Sequence, residues 1–311
     1  MMPQVALSRK FKKKLLLWGI GDLAANELTP VETKDVDISF EGDTIEQEKD
    51  GESWGANKKF RTTDKVKITG KVAFAASGTA GTAPAYRDLF LMAGHSETVS
   101  EEGSTVTYTP ETTDTNHGTV AFLLDGQFHI GKKAQAEVKL SANSGELGYW
   151  EFEISMVGGT VPIEKPSDLN TIVEGYKTPK AVNFANTPVF KLGNKDYAMK
   201  SFSHTTGNEV TSLDMVNHQS SMISDRKPVV SITVGAPQLS EINLYQKAWD
   251  GEEMPLVLEH GTTAGQKIKL DYPAVALDIP KATDMDGALG YEIECSVMQS
   301  ASKPPYTIVF S

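Results

Sequence analysis

Along much of the chain, apolar and polar residues alternate one by one. Val66, Ile68, Val72 and Phe74 are interleaved with Lys67, Thr69, Lys71 and Ala73, and Ala134, Ala136, Val138 and Leu140 with Gln135, Glu137 and Lys139. Successive side chains of an extended chain point to opposite faces, so each stretch reads as a strand with one buried face and one wet face. This favours antiparallel sheets over the unbroken apolar runs of a parallel sheet covered on both sides. The expected class is mainly β.

Helical spacing is confined to two places. Thr82-Ala83-Pro84 opens a predicted helix over 84–93, with Leu89, Phe90 and Ala93 on one side and Gly94 as its stop. Ala236-Pro237 opens a second over 237–249, where Leu239, Ile242, Tyr245 and Trp249 share a face and Gly251 follows. Leu89, Phe90, Ile242 and Trp249 are the side chains expected to pack these helices onto the sheets.

Both helices follow strands and both begin after Ala-Pro, which suggests an internal repeat. The stretch "GKKAQAEVKL" at 131–140 sets ungapped against "GTTAGQKIKL" at 261–270, and "GELGY" at 145 meets "GALGY" at 287. The offsets between matched segments drift, so each half carries its own insertions. After Tyr149 and Tyr291 the apolar phase slips by one residue. The expected organisation is a β domain over 1–160, a Gly- and Pro-rich linker over 161–180, and a second β domain over 181–311 that is a divergent repeat of the first.

The formal net charge of -11 over 311 residues argues against a general nucleic-acid binder, which needs a basic face to displace phosphate counterions. The basic start, with Arg9, Lys10, Lys12, Lys13 and Lys14 before Leu15-Leu16-Leu17-Trp18, has too short an apolar run and no convincing cleavage site for a signal peptide. No run approaches the ~18 apolar residues of a membrane helix. Cys295 is the sole cysteine, which excludes an intrachain disulfide and a multi-cysteine metal site.

Candidate chemistry is sparse. "KLLLWGIGDLA" at 14–24 has the glycine spacing of a dinucleotide site, with Glu41 downstream, but Pro30 leaves about two turns for the helix such a site requires. Gly19 and Gly21 read instead as turn residues at a strand end. His95, His117, His129, His204, His218 and His260 include no pair at i, i+4, so no helical zinc motif is present. Asp284-Met285-Asp286-Gly287 fails as a calcium loop because Ala282 and Ile293 would stand where side-chain oxygens are needed. No nucleophile elbow or phosphate loop is visible. No catalytic, cofactor-binding or metal residues are assigned, and no enzymatic activity is expected.

The segment 41–62 is long and polar, too long for a simple hairpin turn, and loops of this length are usually functional or disordered. It is acidic as far as Glu52 and then basic at Lys58, Lys59 and Arg61, with Trp54 between. Opposite charges around one large aromatic suit a subunit contact. A solvated loop is the plainer reading of the same residues.

With these residues in view, the first half resembles the major tail tube proteins of long-tailed bacteriophages. "FKKKLLLWGIG" is similar to that family's lysine-rich lead into a first strand, and a long polar loop follows. "VKITGKVAFAASGTAGTAPAYRDLFLMAGH" resembles its strand, Gly-Thr-Ala-Pro turn and helix. "STVTYTPET" and "TVAFLLDGQFHIGKKAQAEVKL" resemble its next hairpin and strand pair. The likeness covers roughly residues 10–160, and the second half joins it only through the repeat.

The resemblance implies tandem tail-tube-type β-sandwich or barrel domains, each with one short α-helix, in a structural virion protein that needs no cofactor. Three chains would supply six such units, forming a pseudo-sixfold ring in which open sheet edges pair with neighbours. Rings would stack into a hollow tube through which DNA passes without specific binding or contact with a membrane. The expected partners are further copies of the chain, a tape measure protein, and tail tip and tail terminator proteins. The product would be made in the host cytoplasm and located in the phage tail. Glu46, Lys49, Trp54, Lys58, Lys59 and Arg61 would bridge stacked rings. A non-catalytic cell-surface or carbohydrate-binding β module and a hydrolase on a β scaffold are the competing classes.

Overall fold

The computed structural model describes residues 10–49, 55–113, 116–299 and 303–311. It is mainly β, with two short α-helices. The first half contains β1 (Lys14–Ile20), β2 (Thr29–Val31), β3 (Lys34–Phe40), the hairpin β4 (Thr44–Gln47) and β5 (Lys58–Arg61), and β6 (Lys65–Ala73). Then come α1 (Arg87–Met92), the hairpin β7 (His95–Val99) and β8 (Val106–Pro110), β9 (Gly118–Leu124), β10 (Gln127–Asn143), β11 (Tyr149–Val157) and β12 (Ile163–Glu164). The second half contains β13 (Val189–Leu192), β14 (Lys195–Asp196), β15 (Met199–Thr205), the hairpin β16 (Asn208–Met215) and β17 (His218–Arg226), and β18 (Val229–Gly235). It ends with α2 (Leu244–Trp249), β19 (Glu253–His260), β20 (Ile268–Leu277), β21 (Lys281–Met285), β22 (Ala288–Val297) and β23 (Thr307–Phe310).

The alternating stretches form strands as their period dictates, except at Gln135, expected on the wet face but buried beside the register shift of its strand. In β6, Val66, Ile68 and Val72 are buried and their neighbours face out; in β10, Ala134, Ala136, Val138 and Leu140 are fully buried. All pairings are antiparallel. β10 serves two layers: its first part pairs with β9 and β12, its last part with β11 and β15. The register shifts around Gly131 to Gln135, where Lys133 has φ 52, and such a bulge bends the strand from one layer into the next.

The pairings of the first half recur in the second. β3–β6, β6–β11, β9–β10, β1–β9 and β1–β2 correspond to β15–β18, β18–β22, β19–β20, β13–β19 and β13–β14. A hairpin separates β3 from β6 and another separates β15 from β18. The counterpart of the long β10 is split in two. β20 pairs with β19, β21 pairs with β22, and Asp278–Pro280 breaks the strand between them.

The sequence matches used to find this repeat fall on unequal positions. Residues 131–137 lie inside β10, whereas 261–267 form the turn between β19 and β20, with Gly261 and Gly265 at positive φ. Tyr149 is half-buried next to the core-facing Trp150, whereas Tyr291 is itself buried on the core face. The pairing order repeats although those two alignments do not hold.

One hydrophobic core runs through both halves, from Leu16 and Trp18 through Phe90 and Trp150 to Tyr272, Tyr306 and Phe310. β8 pairs with β23, and β10 with β15, so backbone ladders also cross between halves. The expected linker 161–180 is more than a tether: it contributes β12, and Leu169 is buried in a small second cluster with Leu17 and Phe128.

The helices are shorter than their sequence signals. α1 starts at Arg87, after irregular residues 82–84 and a turn at 85–86, and Leu89 and Phe90 are fully buried as expected. α2 starts at Leu244, capped by the Asn243 side chain accepting from the Gln246 N–H at 3.2 Å. Ile242 lies just before it, partly buried against the core. Trp249 does not pack: it is 79% exposed, because the shortened helix buries only Leu244. At the N-terminal glycines, β1 runs antiparallel to β2 and β9 as far as Ile20; Gly21 follows as a turn residue with φ 95, as the sequence implied, whereas Gly19 lies inside the strand opposite Thr119 and is not in a turn.

Candidate assembly surface

Three exposed features face the solvent where the repeat has no partner for them. The first is a pair of strand edges. Among the described residues, β3 pairs with β6 alone and β21 with β22 alone, so each presents one unpaired backbone edge. Their counterparts are joined inside the chain: β15, the equivalent of β3, pairs with the last part of β10, the equivalent of β21, through Lys139↔Thr205 to Asn143↔Ser201.

The second feature is the segment 41–62. It forms the ladder β4–β5 in place of an irregular loop, with Ile45 opposite Phe60 and Glu46 opposite Lys59. The charge pattern closes on itself, since complementary charges lie across the two arms: Lys59 Nζ is 3.8 Å from Glu46. Lys58 Nζ lies 4.8 Å over the Phe60 ring, and Arg61 Nε donates to the Thr63 carbonyl at 3.1 Å. Every residue of both arms is exposed, and so is Lys49. Trp54 lies outside the described residues. Ile45 and Phe60 are contact candidates that sequence reading missed, although their polar-flanked alternation across the segment was a usable signal.

The corresponding hairpin of the second half behaves differently. β16–β17 folds back over the first half, packing on β10 and β11 and on the end of α1. Arg226 donates to the carbonyls of Ala93 at 2.9 Å, Gly94 at 3.0 Å and Glu111 at 3.1 Å, and to Asn208 Oδ1 at 2.7 Å. Asn208 Nδ2 donates in turn to the Ala93 and Ala136 carbonyls. These side chains satisfy the C-terminal carbonyls of a helix, which otherwise need water or a cap. Gly94 has φ 70, and a side chain there would collide with the Arg226 guanidinium.

The third feature is the wet face of the layer β3-β6-β11-β10-β15-β18-β22-β21. Cross-strand rows cross the joint from β10 into the second half: Ser141, Ser203, Ser231 and Glu294 in one, and Asn143, Ser201, Thr233, Glu292 and Lys281 in another. Lys67 bridges Glu153 at 2.9 Å and Glu41 at 3.4 Å, and Lys71 meets Glu151 at 2.7 Å. Donating hydrogen bonds to these carboxylates raises the affinity of both lysines for their protons. The face is polar: Lys67 and Lys71 are paired with acids, while Lys139 and Lys281 are exposed and make no ion pair among the described residues.

Buried chemistry is structural in character. His95 Nδ1 donates to the Phe90 carbonyl at 3.0 Å while Nε2 accepts from the Tyr306 hydroxyl at 2.8 Å. His204 packs against Tyr306 and Tyr272, and burial pushes the Cys295 thiol up to about 12. Among the described residues, no three His, Cys, Asp or Glu side chains gather where they could hold a metal ion, and no helix is long and apolar enough to cross a membrane. Comparison of the chain with known protein families found no match, and comparison with curated proteins found no relative.

Proposed function

We propose that this chain is a structural subunit that polymerises into the hollow tail tube of a long-tailed phage, three chains forming each pseudo-sixfold ring. The observation that carries the reading is the joint between β10 and β15. Inside the chain, the open edge of one half takes up the first strand of the next half, and the same two kinds of edge are left over at β21 and β3. Unpaired edges template association, and a head-to-tail contact that repeats an internal joint generates a closed ring when its rotation closes.

In such a ring the layer shared by both halves continues from chain to chain, and its wet face lines the lumen. Hydroxyls, the carboxylates Glu292 and Glu294, and the acid-paired Lys67 and Lys71 support a channel for DNA, since cations already paired with acids hold phosphates weakly. The tape measure, tail tip and tail terminator proteins are the partners this role requires, in the lumen and at the two ends.

The test combines imaging with hydrogen exchange. Concentrated protein, or protein seeded with tail tips, should give tubes whose end views show threefold or apparent sixfold symmetry. The backbone amides of β3 and β21 should exchange quickly in the monomer and slowly in the assembly. A chain that stays monomeric under seeding, or tubes in which both edges remain unprotected, would overturn the reading.

A further inference from the structure

The two helices differ in what covers them. α1 buries Leu89, Phe90, Leu91 and Met92, and its last carbonyls are held by Arg226 from the hairpin of the following half. α2, at the equivalent place after β18, buries only Leu244 and ends at an uncovered Trp249, 79% exposed. The stretch beyond it, Asp250-Gly251-Glu252-Glu253, is acidic, and Gly251 has the positive φ of Gly94 (64 against 70). The first half's own hairpin, β4–β5, has every residue of both arms exposed.

We propose that the β4–β5 hairpin of one chain seats on the α2 end of the neighbouring chain in the same ring, as β16–β17 seats on the α1 end within one chain. This rests on the ring assembly above and is an alternative to the expectation that the hairpin bridges stacked rings. Arg61, near the end of the second arm as Arg226 is at the end of β17, takes the carbonyls around Asp250 and Gly251. Lys58 and Lys59 face Asp250, Glu252 and Glu253, of which Glu252 is already paired with Lys247. Phe60 and Ile45 supply apolar surface opposite Trp249, a side chain type suited to the centre of a contact. The occupant is thus a second copy of this chain, selected by opposite charge on the two patches and by continuity with the joint between β21 and β3.

The test is a double variant, Lys59→Cys with Glu252→Cys, assembled and then oxidised. The native Cys295 is buried and does not interfere. Both replaced side chains are exposed, so the monomer should fold as the parent does. Contact within a ring links each chain to the next and stops at a covalent trimer. Contact between stacked rings gives a ladder that runs on beyond three chains, and that result overturns the proposal while leaving the ring intact. Tubes with no cross-link also overturn it. Failure of the parent protein to assemble would overturn the ring reading and the seat together. In the unmodified protein, Trp249 fluorescence should shift to the blue on assembly, and the part of the shift due to this contact should disappear in Trp249→Phe.

Discussion

His204 sits between Tyr272 and Tyr306 with both ring nitrogens buried and neither making a hydrogen bond. Its folded-state pKa is lowered to about 3 by burial, and that of His95 to about 3 by burial and then by the nearby Arg226 charge. Both histidines are therefore neutral in the fold and take up protons readily only when it opens. Because the unfolded chain binds more protons between about pH 6.5 and pH 3, stability is complete above that window and falls as pH drops through it. The slope should approach about 1.4 kcal/mol per pH unit for each histidine. Urea midpoints measured from pH 7 to pH 4 check this. His204→Phe, which fills the site without a polar atom, should hold its stability at pH 7 and lose part of the acid slope.

At the scale of elements, the two hairpins make a controlled comparison. Both leave the same place in their halves, between β3 and β6 or between β15 and β18, but only β16–β17 covers its own chain. Replacing residues 44–61 by a short turn should leave the monomer's thermal midpoint within a few degrees, since the exposed arms bury nothing in the free chain. Replacing residues 208–226 should lower it sharply, because the Ala93 carbonyl loses both its side-chain donors, Arg226 and Asn208, and the Gly94 and Ala136 carbonyls lose one each. The charge pattern of 41–62 was readable as a candidate contact. That the segment zips into a ladder was not, because the pairing of Ile45 with Phe60 depends on two arms separated by a long connection.

For the whole molecule, the decisive fact is a single core with backbone ladders crossing between halves at β8–β23 and β10–β15. Two independent domains on a linker would unfold in two steps. A shared core should give one cooperative transition, with the fluorescence of buried Trp18 in the first half and far-ultraviolet dichroism following the same denaturation curve. Separate midpoints would show that the halves are autonomous. A rigid joint between halves also fits the proposed ring, since the angle set by β10–β15 would be copied at each chain boundary.

The sequence by itself determined which residues of each strand face inward, that the sheets are antiparallel, and where the Leu89-Phe90 helix would lie. Those properties follow from period-two and helical spacing, which are local and written in side-chain polarity. Only the tertiary structure decided that β10 is answered by two strands, that Trp249 remains uncovered, and that β3 and β21 are the terminal strands of the layer shared by both halves. Edge pairing is made by backbone N–H and C=O groups, which nearly every residue carries alike, so the alternation that reveals a strand's buried face is silent about its neighbour.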